Sequence, residues 1–205
     1  MRIKARSVEQ DLSIQAFEYA VGLFTVIIGL AVVDLATSFH KLARHRRSVT
    51  WDPLALLAAL YSLLLAITMW FKIWSIRDVT ALGHYLFYLT LCVEFFLLFM
   101  VAAASLPDDP SDSCDLRSYY DSNRQYLWTL ILLFQISNAA HALYFFTHGQ
   151  SPSWAHIGFS FAIPTVVAMV LLATRARTVH FVGLALLLGL LLFDRSSDTI
   201  STVTR

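Results

Sequence analysis

AVGLFTVIIGLAVVDLATSF, residues 20–39, holds a single charged residue, Asp34, in twenty. Crossing the hydrocarbon core of a bilayer takes roughly 20 mostly apolar residues. Within lipid the backbone must satisfy its own hydrogen bonds, so such a run reads as a membrane helix rather than a strand. Similar runs recur along the whole chain, which a cleavable signal peptide does not explain. The 205 residues are 58% hydrophobic and 14% charged, with a mean hydropathy of +0.64. Soluble domains carry about 25% charged residues. Too little polar surface remains to coat a water-soluble globule, and lipid supplies the missing solvent.

Outward from that stretch, the sequence predicts an all-α, polytopic integral membrane protein of about six transmembrane helices. The first covers residues 8–39, its early part an interfacial extension mixing acids with Leu12, Ile14 and Phe17; the basic segment from His40 to Arg47 ends it. The second covers 52–74, with Asp52 as N-cap and Pro53 in the first turn, where a missing N–H does no harm. Trp70, Lys72 and Trp74 close it as an interfacial belt. The third covers 79–104. An acidic connection from Pro107 to Asp121 follows, with five aspartates and Cys114. The remaining helices are expected at 122–147, 152–173 and 178–194, the fifth opening on Ser151-Pro152 and kinked by Pro164. The sixth is short.

The net charge of +1 gives no reason to expect nucleic acid as a partner, and two cysteines are too few for a disulfide framework. Cys92 lies in an apolar run and Cys114 in a polar loop, which argues against a bond between them. The acidic loop lacks the residue order of a calcium loop and reads as solvated.

Two halves, 1–104 and 122–205, resemble each other. His45, Ser48 and Trp51 match His148, Ser151 and Trp154 at an offset of 103, and with one residue of slack Asp34 falls opposite Asn138. Three helices per half would make the repeats inverted, an arrangement that places the working site of many transporters between them. Orientation is balanced. One side carries Arg2, Lys4, Arg6, Lys72, Arg77, Arg195 and Arg205, the other Lys41, Arg44, Arg46, Arg47, Arg117, Arg124, Arg175 and Arg177. The dense Lys41–Arg47 cluster favours its own side as cytoplasmic, while the near balance leaves dual insertion as an antiparallel dimer open.

Charged groups at the centre of a membrane helix are expensive and mark functional candidates. Asp34 is one, with Ser38 one turn on along the same face and Lys41 beyond it; the alternative is an anchoring pair with Lys41 or Arg44. Glu94 is another, deep in the third helix beside Thr90, Tyr88 and Cys92, suited to taking up and releasing a proton, or else hydrogen-bonded to a neighbouring helix. Gln135, Asn138 and His141, spaced three apart, form the densest polar patch in any span, either a conduction face opposite Asp34 or a seam joining helices. His84 and His141 are the residues on which an axial haem pair would rest. The remaining histidines sit at helix ends.

These positions predict a small channel or transporter that moves protons, another small ion or a small solute along Asp34, Ser38, Glu94, Gln135, Asn138 and His141. It is expected to work in the cell (inner or plasma) membrane as a homo-oligomer, with no bound cofactor and no catalysis. Two other classes stay open: a membrane redox subunit handling haem or quinone, and a non-catalytic partner of another membrane protein.

Overall fold

The structure, a computed structural model, describes residues 2–75, 85–108, 114–147 and 158–195, with side chains placed for 17–73, 85–108, 114–144 and 158–193. Among these residues the chain forms six α-helices: α1 (Arg2–Arg44), α2 (Pro53–Ser75), α3 (Tyr85–Ser105), α4 (Leu116–Thr147), α5 (Ile163–Ala173) and α6 (Arg177–Arg195). A π-helical turn, Gly158–Ala162, runs directly into α5. The segments Phe17–Arg44, Pro53–Ile73, Tyr85–Ser105 and Leu116–Tyr144 are each long and apolar enough to cross a membrane, and Gly158–Ala173 and Arg177–Phe193 are shorter apolar helices. By that length and composition the chain is an all-α integral membrane protein.

The helices close into a ring in the order α1, α3, α4, α5, α6, α2, with α2 also touching α3 and α4 across the middle. Phe24 of α1 stacks on Phe95 of α3 with ring centroids 4.3 Å apart. Trp128 and Phe134 of α4, like Leu54 and Ala66 of α2, are fully buried, whereas Val26, Leu30, Val33, Val93, Phe96 and Ile136 point outward and are about half exposed. Apolar residues on both the inward and outward faces are what a bundle needs when its solvent is lipid. Helix packing in lipid rests on close van der Waals fit, and α5 and α6 approach tightly at Gly183. A Cβ there would lie 2.7 Å from Leu171 Cδ2.

At one end the connections tie together. The residues after α1 form a short strand, β1 (Val49–Thr50), which pairs in parallel with β2 (Cys114–Asp115) just ahead of α4, Val49 opposite Cys114. Asp52 caps α2 as expected, its carboxylate accepting from Ala55 N at 3.3 Å. The same carboxylate accepts from Arg177 at 2.6 Å, and Arg177 reaches Asp121 at 2.9 Å. Trp128 Nε1 donates to the Tyr120 hydroxyl at 3.1 Å, and that hydroxyl lies 2.7 Å from His180 Nδ1. His180 Nε2 is 3.1 Å from the Thr174 carbonyl, so it donates there and Nδ1 accepts from Tyr120. The Arg177–Asp52, Arg177–Asp121 and Tyr120–His180 contacts thereby join the start of α2, α4 and α6 at this end.

Two helices differ in extent from the sequence reading, the first being α1, which runs on through the start of the basic segment to Arg44 rather than ending at 39. α4 begins at Leu116 rather than 122. Its first turns look polar, but Leu116, Tyr120 and Leu127 repeat at helical spacing and are buried, while Tyr119 and Asn123 bond the Ala104 carbonyl. Asp115 accepts from Arg117 N at 3.0 Å at the helix start. A π turn stands immediately before Pro164, where the sequence reading expected a kink. Proline has no N–H to give the preceding turn, and a widened turn absorbs that loss. Both cysteines are free. Of the repeat, His148, Ser151 and Trp154 lie outside the described residues. The packing is not alike in the two halves, since α1 lies along α3 whereas α4 has no comparable contact with α6.

Candidate functional site

α2 and α3 are antiparallel neighbours: Ser62 meets Ser105 toward one end of the pair and Lys72 meets Glu94 toward the other. Glu94 is 0% exposed, about 14 Å along α3 from Tyr85 by helical rise, which puts it near the middle of the span. Its Oε1 lies 3.4 Å from Lys72 Nζ. Its Oε2 lies 2.5 Å from Nδ1 of His141 on α4. Lys72 also donates to Asn138 Oδ1, and His141 Nε2 lies 2.9 Å from the Thr90 hydroxyl. Five side chains from three helices thus form one hydrogen-bonded network that runs from the exposed Thr90 into the apolar interior at Glu94. An isolated ionised carboxylate there would be prohibitive; the ammonium and the imidazole on its two oxygens offset that cost.

Rotation along α4 distributes the polar patch. Three residues of an α-helix turn about 300°, so Gln135, Asn138 and His141 step backward by roughly 60° each. Gln135 and Asn138 consequently face a cavity of about 70 Å³ enclosed by α2, α4, α5 and α6, with Tyr61, Thr68, Lys72 and Ser160 as its other polar lining. That volume admits a few water molecules, at about 10–15 Å³ of probe volume each. Gln135 Nε2 donates to the Tyr61 hydroxyl at 3.4 Å. His141 has turned away to the other side, into a groove of about 610 Å³ between α3 and α4 lined by Leu86, Phe87, Thr90, Ser137, Ala140 and Tyr144. The His141–Glu94–Lys72 chain therefore runs from an outer groove to an inner cavity.

The structure does not bring Asp34 and Ser38 to this network. Ser38 is buried at 4% exposure. The charged neighbours of Asp34 are Lys41 and Asp108, near the clasped end, and Lys41 Nζ donates to the Asp108 carbonyl at 2.7 Å. Asp34 Oδ2 is buried without a hydrogen-bond partner. Asp34 therefore lies apart from the polar network around Glu94, because α1 packs on the face of α3 that carries Phe95 and leaves Glu94 to α2 and α4.

Lys72 is the residue that the sequence reading placed wrongly. Read as part of an interfacial belt, it folds inward to 18% side-chain exposure; three residues from the end of α2, it looks in sequence like any snorkelling lysine. Of the haem pair, His84 lies outside the described residues. His141 engages both ring nitrogens, so ligating iron would require it to give up Glu94 or Thr90. Among the described residues no group of three His, Cys, Asp or Glu side chains is gathered as a metal site.

No family model matches the sequence, and neither a curated protein nor a solved structure matches the chain. The class is therefore set by fold and composition alone: an integral membrane protein with a buried, ionisable network in its bundle.

Proposed function

We propose that the protein carries protons, or a small solute together with protons, across the membrane in which it sits, with the hydrogen-bonded Glu94–His141 pair as the group that takes them up and releases them. In this reading all six helices cross the bilayer. The observation that carries it is the continuous network from the groove at Thr90 and His141, through Glu94, to Lys72 and Asn138 at the cavity. Intramembrane ionisable residues that pair across helices mark proton relays and ion paths. A carboxyl, an imidazole and an ammonium in contact have several protonation states of similar energy, and protons leave such a set in coupled steps. A merely structural seam would be served by neutral amides and hydroxyls, like the Ser62–Ser105 pair at 2.6 Å between α2 and α3.

The test is proton flux into liposomes holding purified protein, driven by a potassium diffusion potential. Protein-dependent acidification that Glu94→Gln removes supports the reading. Equal acidification with and without protein, across pH and voltage, contradicts it.

A further inference from the structure

The Thr90 hydroxyl has one hydrogen and two acceptors to give it to. Its oxygen lies 2.7 Å from the Phe87 carbonyl on its own helix, a contact only the hydroxyl can donate. It also lies 2.9 Å from His141 Nε2. When the hydrogen points to Phe87, Nε2 must carry a proton and donate to the Thr90 oxygen. When it points to Nε2, that nitrogen must be bare. On the other side of the ring, Nδ1 and Glu94 Oε2 are 2.5 Å apart, and two bare lone pairs at that distance repel, so a proton always stands between them.

From these constraints we infer that Thr90 is the positioning residue of a one-proton switch in which His141 exchanges its proton at Nε2, toward the α3–α4 groove, while the Nδ1–Glu94 proton stays in place. The inference rests on the proton-carrying role of the network. In the loaded state Nε2–H donates to Thr90, and one further proton is shared between Nδ1 and the carboxyl, so the imidazole and carboxyl together are neutral. Unloading breaks the Nε2–H bond and passes that proton to water in the groove. The Nδ1 proton then remains on the ring and donates to the Glu94 carboxylate. The pair now carries one negative charge, next to Lys72, and the Thr90 hydroxyl swings from Phe87 to the bare Nε2.

The groups facing the pair are few. α2 presents Lys72, α4 presents Asn138 and, in the groove, Tyr144, and α3 presents Phe87, whose ring lies edge-on to His141 with centroids 5.5 Å apart. Neither state leaves a polar atom of Thr90 or His141 unbonded, which is what a low barrier between them requires.

Nitrogen-15 NMR of histidine-labelled protein in detergent or nanodiscs reads the switch without any transport, with His141 assigned by its loss in His141→Gln. Across a pH titration the Nε2 signal is expected to pass from protonated to bare, while Nδ1 keeps its proton throughout. Loss of the Nδ1 proton, or an Nε2 that stays protonated at every pH where the protein is folded, overturns the inference. In liposomes Thr90→Val, which keeps shape and loses the hydroxyl, is expected to slow flux about tenfold, one hydrogen bond's worth, and Thr90→Ser to restore it. Equal flux in Thr90→Val and wild type also overturns it. A wild type without flux but with the Nε2 transition would separate failure of the transport reading from failure of the switch.

Discussion

Replacing Lys72 by methionine removes the ammonium from Glu94 and keeps the length of the side chain. Glu94 is fully buried and keeps His141 on Oε2 in the variant, so the loss is expected to stay below the roughly 3–5 kcal/mol typical of a buried charge left with no partner. Protonation limits the loss. A carboxyl with a reference pKa near 4.3 can be neutralised at pH 7 for about 2.7 units at 1.36 kcal/mol each, roughly 3.7 kcal/mol. In the variant the folded state holds a proton on Glu94 that the unfolded state has released, so stability falls as pH rises above about 4.3. The same arithmetic leaves a penalty of about 1 kcal/mol at pH 5. Equilibrium unfolding in mixed micelles at pH 5, 6 and 7, wild type beside Lys72→Met, measures it. Lys72→Met with Glu94→Gln closes the cycle and is expected to recover most of the loss at pH 7. A penalty independent of pH, or a double variant no more stable than Lys72→Met, would refute the claim that Lys72 holds an ionised Glu94.

Other consequences are direct. Gly183→Val forces a branched side chain against Leu171, whose own side chain is fully buried; it should destabilise the bundle by about 1–3 kcal/mol in the same unfolding assay, whereas Gly189→Val meets open space and should not. Cys114, beside Asp115 and partly desolvated, has its thiol pushed above the ordinary cysteine value. Because the thiolate is the reactive form, maleimide labelling should be slow near pH 7 and speed up through pH 9, and Asp115→Asn should shift that rise to lower pH.

The helices were legible because lipid demands long apolar runs, and the Asp52 cap was legible because capping is local. α4 was misread at its start because Tyr119 and Tyr120 sit among charged residues, and their partners, Ala104 and His180, are distant in sequence. Glu94, Asn138, Gln135 and His141 were visible as polar residues in apolar helices. Which of them meet was not, since these helices are apolar on nearly every face and offer no stripe to orient them. Asp34 looked equivalent to Glu94 in sequence; packing of α1 on the Phe95 side of α3 separates them. Lys72 was hidden by its position near a helix end, where lysines usually snorkel to water, whereas Glu94 and Asn138 draw it inward.

The most direct test of the account is proton flux through purified protein in liposomes, wild type beside Glu94→Gln and Asp34→Asn, each shown to be folded by thermal unfolding. The account predicts flux in the wild type, flux close to that level in Asp34→Asn, and none above empty liposomes in Glu94→Gln. Undiminished flux in Glu94→Gln would contradict it, because a path that runs without the buried carboxyl does not pass through this network.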